Sequence, residues 1–133
     1  MIIKNTNEKA LELIKLVLDN PSLPIVPLVD GEIIVDDTYG RWLASFGSAY
    51  VGEIACYKER YFEDREDFIE YYYDHNCDEL CQRFDYTPRF SDDWPAGKIL
   101  KNEANEQKLN KYLADLAEEN FTKAIIVYIE TYD

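Results

Sequence analysis

Basic residues are scarce in this sequence. Its 133 residues contain 14 lysines and arginines against 27 aspartates and glutamates, so the formal net charge is -13. Proteins that bind nucleic acid or an anionic membrane need lysine and arginine opposite the negative groups. The charge therefore disfavours direct binding of nucleic acid or membrane, and it favours attraction to a basic surface on another protein.

Long apolar runs and an export signal are lacking as well. Glu12 and Lys15 interrupt the apolar positions of the first twenty residues, no small-residue cleavage site follows them, and no apolar stretch approaches the length of a membrane span. Three cysteines, an odd number, do not predict a disulfide framework. We therefore expect a cytoplasmic protein with reduced thiols.

Catalytic motifs are absent from the sequence too. His75, the only histidine, lies near Cys77 and Cys81, and with Cys56 these side chains could supply zinc ligands. The second ligand pair of a structural zinc site is missing, and the acidic surroundings oppose the thiolate that a cysteine nucleophile needs. We interpret these residues as structural and predict no cofactor and no enzyme.

Two pairs of aspartates leave an alternative open. Asp36 with Asp37 and Asp92 with Asp93 could bind a divalent cation or act as acid and base. Turn capping is the simpler interpretation, because no calcium-loop spacing and no histidine accompany either pair. A small metal-dependent enzyme using these four aspartates therefore remains an alternative, as does a homo-oligomeric structural protein.

What the sequence does have is an acidic, aromatic stretch from Glu59 to Asp93. It sets twelve acids against four arginines, which is -8 of the net charge, and it is rich in tyrosine and phenylalanine. Acidic tails that remain unfolded are poor in aromatic residues. The stretch therefore predicts a folded, negatively charged surface.

Helical spacing within this stretch separates an inner from an outer face. We predict helices over Asp64–Asp74 and Asp78–Phe84, with Phe68, Tyr72, Leu80 and Phe84 turned inward. The acids predicted to share one outer face, three or four residues apart, are Glu63, Asp67, Glu70 and Asp74. Dense carboxylates beside aromatic rings suit a basic partner protein. The predicted partner-binding residues are Glu63, Asp64, Glu66, Asp67, Glu70, Tyr71, Tyr73, Asp74, Asp78 and Glu79.

The N-terminal half outside this stretch predicts one helix followed by strands. Asn5 and Thr6 can cap a helix whose apolar stripe is Ala10, Leu13, Ile14, Val17 and Leu18. Pro27 removes a ladder hydrogen bond, so the strand Leu23–Val29 should lie at a sheet edge or be irregular at that point. Asp30-Gly31 turns the chain into a returning strand, Glu32–Val35. Arg41–Tyr57 predicts two short strands bent at Gly47 and Gly52, the second of them central, and Lys58–Phe62 continues the strand or pairs back on it.

The C-terminal part completes an α+β protein. Glu103–Asn120 has the spacing of an amphipathic helix, and Lys123–Thr131 has the β-branched apolar run of a central strand. We predict an antiparallel or mixed sheet of four to five strands with N-terminal and C-terminal helices packed on it. Residues 1–133 would form one domain, with 59–93 as an acidic aromatic helical insertion.

Three blocks of sequence carry a resemblance to known proteins. Leu23–Asp30 (LPIVPLVD), Asp36–Glu53 (DDTYGRWLASFGSAYVGE) and the ending IIVYIETYD resemble small acidic proteins of phages and other mobile elements of Gram-positive bacteria. The resemblance implies no site residue, but it implies a setting in which such proteins often inhibit host defence, as anti-CRISPR and DNA-imitating antirestriction proteins do. The hypothesis is a non-catalytic inhibitor that presents carboxylates where the phosphates bound by a nucleic-acid-handling partner would lie.

Overall fold

The sheet and helices of this chain follow an α+β order. The structure, a computed structural model, describes residues 3, 5, 7–31, 43–89, 91 and 93–132. Within these residues the sheet has four strands in the order β1-β4-β2-β3 and is mixed, so the predicted fold class is confirmed. The elements in chain order are α1 (Asn7–Asp19), β1 (Ile25–Val29), β2 (Ala44–Tyr57), β3 (Arg60–Phe62), α2 (Arg65–Arg83), α3 (Ala96–Asn120) and β4 (Thr122–Thr131).

Residue contacts group the chain into two compact units. The first unit comprises Met1–Glu53 and Lys123–Asp133, and the second comprises Ile54–Thr122. The acidic stretch 59–93 lies wholly within the second unit, and the single domain over 1–133 stays a prediction. The predicted strand Glu32–Val35 lies outside the described residues. Among the described residues, no helix combines the length and the apolar character needed to cross a bilayer.

In the first unit, β1 and β4 pair in parallel. Ile25 lies opposite Ile125, and the register continues to Val29 opposite Ile129. Among the described strands, β1 lies at the edge of the sheet, the first of the two alternatives that Pro27 predicts, because proline has no N–H to donate to a second neighbouring strand. The prediction of a central C-terminal strand is also confirmed, since β4 lies between β1 and β2 and its residues Ala124 to Val127 are buried.

The helix α1 is confirmed, but its predicted core stripe is partly wrong. The Asn5 side-chain oxygen accepts a hydrogen bond from the Asn7 N–H at 2.8 Å, as predicted for a cap. Ile14 and Leu18 are 51% and 75% exposed, whereas Leu16, outside the predicted stripe, is half-buried. Leucine, isoleucine and valine side chains occupy more than one face of this helix, so their spacing alone could not identify the face that packs.

The strand β2 is continuous, whereas we predicted two short strands. Its fourteen residues run through both Gly47 and Gly52 without a break. A Cβ on Gly52 would lie 2.9 Å from the Tyr50 ring and 3.2 Å from the Ile126 side chain. Glycine in a strand marks either a bend or a close approach, and here the reason for Gly52 is close approach. The central position predicted for the second half of this strand is confirmed.

In the second unit, β2 turns back into β3 through a two-residue loop. Tyr57 lies opposite Arg60, so the loop consists of Lys58 and Glu59, both in the left-handed region with φ of 51° and 67°. Paired positive φ values are typical of the tight hairpin turn that suits strand twist. Of the two predicted alternatives for Lys58–Phe62, the structure therefore shows the chain pairing back.

The helix α2 joins the two predicted helices across a kink. Asp64 caps its start by accepting a hydrogen bond from the Glu66 N–H at 2.7 Å. Asn76 has non-helical angles, and its side-chain amide donates to the Tyr72 carbonyl at 2.8 Å and to the Tyr57 hydroxyl at 2.9 Å. The predicted break between Asp74 and Asp78 is thus present as a kink within one helix.

The helix α3 begins earlier than predicted. It starts at Ala96, after Pro95, and it ends at Asn120 as expected. Proline is favoured at a helix start because its missing N–H leaves no unmet donor there. The first turns of α3 hold Asn102, whose buried side chain bonds both the N–H and the carbonyl of Thr87, at 2.8 and 3.0 Å.

Two apolar clusters form the core of the second unit. One contains Phe62, Phe68 and Phe121 with two alanines, and the other contains Leu80, Leu109 and Leu113. Phe68 and Leu80 are buried, and Tyr72 and Phe84 pack half-buried against the second cluster. The prediction that these four residues hold the acidic stretch to a core is therefore confirmed.

Candidate functional site

Four acids of α2 form one outward row. Glu66, Asp67, Glu70 and Asp74, called here the acidic row, are all exposed. At 3.6 residues per turn and 1.5 Å per residue, they fall within about 100° of the helix circumference and span ~12 Å along its axis. The kink at Asn76 comes only after Asp74, so the whole row lies on regular helix.

Three of the four arginines of the stretch lie over aromatic rings. A guanidinium over a ring face is held by the ring quadrupole and packs its stem against the ring. The pairs, measured from guanidinium carbon to ring centre, are Arg60 with Tyr71 at 4.9 Å, Arg65 with Phe121 at 4.7 Å, and Arg83 with Tyr112 at 4.6 Å. Arg65 is also ion-paired with Glu118. Much of the positive charge is thus engaged by rings, beside the acidic row.

Three acids of the row line one shallow pocket. Asp67, Glu70 and Asp74 line it together with Tyr71 and Arg60, and its volume is about 240 Å³. Within the described chain, none of these three carboxylates lies within 4 Å of a basic nitrogen. The three side chains that the sequence placed on one outer face therefore converge in space, and they are available to an external cation.

A larger groove runs between α2 and α3 on the adjacent side of α2. Its volume is about 430 Å³, and it is called here the α2–α3 groove. Leu109 and Leu113 form its floor at 2% and 4% exposure, while Glu66, Glu70 and Glu106 stand exposed at its edges. The remaining lining residues are Ile69, Tyr73, Tyr86, Pro88 and Asn110.

Two tyrosines of this groove are held in their neutral form. The Tyr73 hydroxyl lies 3.4 Å from the Cys81 sulfur, and this hydrogen bond, with burial, raises the pKa of Tyr73. Burial, followed by the negative charge of Glu106, raises the pKa of Tyr86. The groove therefore offers phenol groups as neutral hydrogen-bonding partners beside its carboxylates.

The other predicted partner-binding residues are distributed around this site. Glu63 is exposed just before α2, Asp64 serves as its N-cap, and Asp78 and Glu79 are exposed beyond the kink, outside both pockets. The two predicted aromatic anchors separate. Tyr71 lies in the pocket of the acidic row, and Tyr73 lies in the α2–α3 groove.

The histidine and cysteines have structural contacts. His75 Nδ1 donates to the Tyr71 carbonyl at 2.9 Å, and all three cysteines are free thiols. Over the described positions, no three His, Cys, Asp or Glu side chains come close enough together to hold a metal ion. Of the paired aspartates, Asp93 is exposed, while Asp36, Asp37 and Asp92 lie outside the described residues.

Sequence reasoning missed the α3 side of the site. Glu106 and Asn110 line the groove from α3, next to Leu109 and Leu113. The sequence does place an acid and an amide four residues apart beside two leucines, which indicates one mixed helix edge. The sequence contains no signal that α3 packs beside α2, so it could not predict that acids of the two helices line one groove.

Comparison with known proteins adds no relative. No protein-family model matches the sequence, and neither the curated proteins nor the solved structures yield a significant match.

Proposed function

We propose that this chain is a non-catalytic protein that binds and inhibits a basic, nucleic-acid-handling partner by presenting carboxylates in place of phosphates. The observation that supports the proposal is the convergence of Asp67, Glu70 and Asp74 on one exposed face of α2. The proposal places the protein in the host cytoplasm, as an anti-CRISPR or antirestriction protein of a phage or other mobile element.

The charge density of the acidic row is comparable to that of one nucleic-acid strand. A strand of B-DNA carries one phosphate per ~3.4 Å of axis, so ~12 Å contains between three and four phosphates. The row sets four carboxylates along about the same length of helix axis. A partner that reads a single phosphate strand therefore meets a similar number of negative charges on α2.

The rest of the molecule strengthens this local field. The net charge of -13 accelerates the approach of a basic partner and opposes approach of nucleic acid, which competes for the same partner surface. Arg60 and Arg65 keep their charge over the aromatic rings, so Arg60, which lines the pocket of the row, offsets part of this field. Attraction of this kind is screened beyond about 10 Å at 0.1 M salt.

Affinity capture followed by competition tests the proposal. The chain is immobilised, exposed to host extract at about 0.05 M salt, and eluted at about 0.5 M, where screening is strong. We expect a nucleic-acid-binding protein that a single-stranded oligonucleotide also displaces. The triple variant Asp67→Lys, Glu70→Lys, Asp74→Lys should lose it, and Glu119→Lys, an equally exposed acid on α3, should retain it. A captured protein that the oligonucleotide does not displace and that still binds the triple variant would falsify the proposal.

The alternative of a metal-dependent enzyme has a separate test. Asp36, Asp37 and Asp92 lie outside the described residues, and Asp93 is exposed. Titration with manganese or magnesium, followed by calorimetry, would show binding if these aspartates form a cation site. Loss of that binding in Asp36→Asn with Asp92→Asn would establish the site and weaken the proposal of a non-catalytic protein.

A further inference from the structure

We propose that the α2–α3 groove binds an amphipathic helix of the partner, with apolar side chains on the groove floor and lysines or arginines against the glutamates at its edges. The groove shares Glu66 and Glu70 with the acidic row. The inference therefore rests on the proposed function in taking the partner to be basic, and it adds the structural element by which the partner is held.

The floor of the groove is built to receive apolar groups. Leu109 and Leu113 belong to the buried leucine cluster, so this floor continues the core. Ile69 and the rings of Tyr73 and Tyr86 widen the apolar area. Burying apolar side chains there is favourable by roughly 25 cal/mol for each Å² removed from water.

The length of the groove suits a short helix. Glu66 to Tyr73 on α2 and Glu106 to Leu113 on α3 are each seven residues apart, and seven residues of helix advance ~10 Å. A bound helix would therefore place apolar anchors at positions i, i+4 and i+7 along about two turns, as helix-in-groove recognition does. The volume of about 430 Å³ is within the ~300–1,000 Å³ range of binding pockets.

The charges at the edges select a basic helix. Glu66 and Glu70 stand on the α2 side and Glu106 on the α3 side, and none of the described lysines and arginines lines the groove. Acidic peptides and nucleic acid would be repelled there. A helix with lysine or arginine on both flanks of an apolar stripe meets opposite charge along both edges, which also fixes its register in the groove.

A labelled peptide tests the groove directly. The probe is a fluorescein-labelled helix of roughly 14 residues with leucine at i, i+4, i+7 and i+11 and lysine elsewhere, a pattern that places one apolar stripe on one face. Fluorescence anisotropy against the whole chain gives its Kd. We expect saturable binding, and we expect a second peptide with serine in place of leucine, at equal charge, to bind at least about tenfold more weakly, because it loses apolar burial.

Variants separate the groove from the acidic row. Glu106→Lys and Asn110→Trp change the groove alone, since neither residue belongs to the row. Each should raise the Kd of the leucine peptide about fivefold, the first by reversing an edge charge and the second by filling the groove. Glu119→Lys on α3 lies outside the groove lining and controls for the two-unit change in net charge that Glu106→Lys also makes.

The result that would overturn the inference is equal binding of the leucine and serine peptides, or a Kd unchanged by both groove variants. If the peptide does not bind but capture of the partner still depends on Asp67, Glu70 and Asp74, the groove inference is refuted and the proposed function stands. If the groove variants weaken peptide binding but the triple variant still binds the captured partner, the proposed function of the row is refuted and the groove inference stands.

Discussion

Replacing Glu70 by glutamine should make the protein more stable. Glu70 stands at the centre of the acidic row, four residues after Glu66, three after Asp67 and four before Asp74. Residues at these spacings are neighbours on a helix surface, and all four side chains are exposed. Glutamine keeps the size and the helix propensity of glutamate but removes the charge that faces three others.

The size of the effect follows from these three neighbours. A like-charge pair at this spacing destabilises a helix by about 0.2–0.5 kcal/mol, so the loss of three pairs should raise the free energy of unfolding by roughly 0.6–1.5 kcal/mol. Arg60 lines the same pocket and attracts Glu70, which places the expected value in the lower half of that range. For a chain of this length, ~1 kcal/mol corresponds to a rise in Tm of about 4 °C.

Thermal unfolding at two salt concentrations measures the effect. The Debye length is about 30 Å at 0.01 M and 3 Å at 1 M, so the gain in Tm should be clear at low salt and should largely vanish at high salt. Glu79→Gln is the matched control, because it makes the same change on the same helix. Glu79 has no acid three or four residues away and has Arg83 four residues further on, so its replacement relieves no such repulsion. A Tm for Glu70→Gln that equals or falls below that of the unchanged protein at low salt would refute the repulsive row.

Two further predictions concern the second unit. Tyr73 and Tyr86 have pKa values raised by folding, so their stabilisation is fully present below the unfolded value of about 10 and is lost as the pH rises above it. Above pH ~10, Tm should therefore fall more steeply with pH for the unchanged protein than for Tyr73→Phe. Tyr61→Phe, at an exposed tyrosine, is the control, and equal slopes of Tm against pH for the unchanged protein and Tyr73→Phe would contradict the raised pKa of Tyr73. In the β2–β3 turn, Glu59 has φ of 67°, so Glu59→Gly should stabilise the protein by about 0.5–1 kcal/mol. Chemical denaturation measures the gain, and an equal gain in Glu59→Ala would show that charge and not backbone strain is responsible.

The sequence predicted those elements whose signal is local. The apolar run in β4 and the proline in β1 each determine one property of a strand, burial in the first and an edge position in the second. The division of α2 into inner and outer faces is similarly local, since three- and four-residue spacing places Phe68 inward and Asp67 with Glu70 outward. Each of these properties is confirmed because no alternative packing competes with it.

Features that depend on distant residues could not be predicted. Gly52 indicates a special position in β2, but only the nearby Ile126, more than seventy residues away, shows that the reason is close approach. The α2–α3 groove has the same origin, because Glu70 and Glu106 come together only when the two helices pack. The rotation of α1 is a third case, since its apolar residues occupy more than one face and packing alone selects among them.

The arrangement of the second unit gives the acidic row and the groove different signatures under salt. The carboxylates of the row are exposed, so any binding energy they supply is screened as salt rises. Leu109 and Leu113 on the groove floor are almost fully buried. Salt does not screen the favourable free energy of packing apolar side chains of a partner against them. A partner held by the row alone should therefore dissociate completely at high salt. A partner that also inserts a helix into the groove should retain a salt-resistant affinity, which Asn110→Trp removes and charge reversal of Asp67 and Asp74, both outside the groove lining, does not.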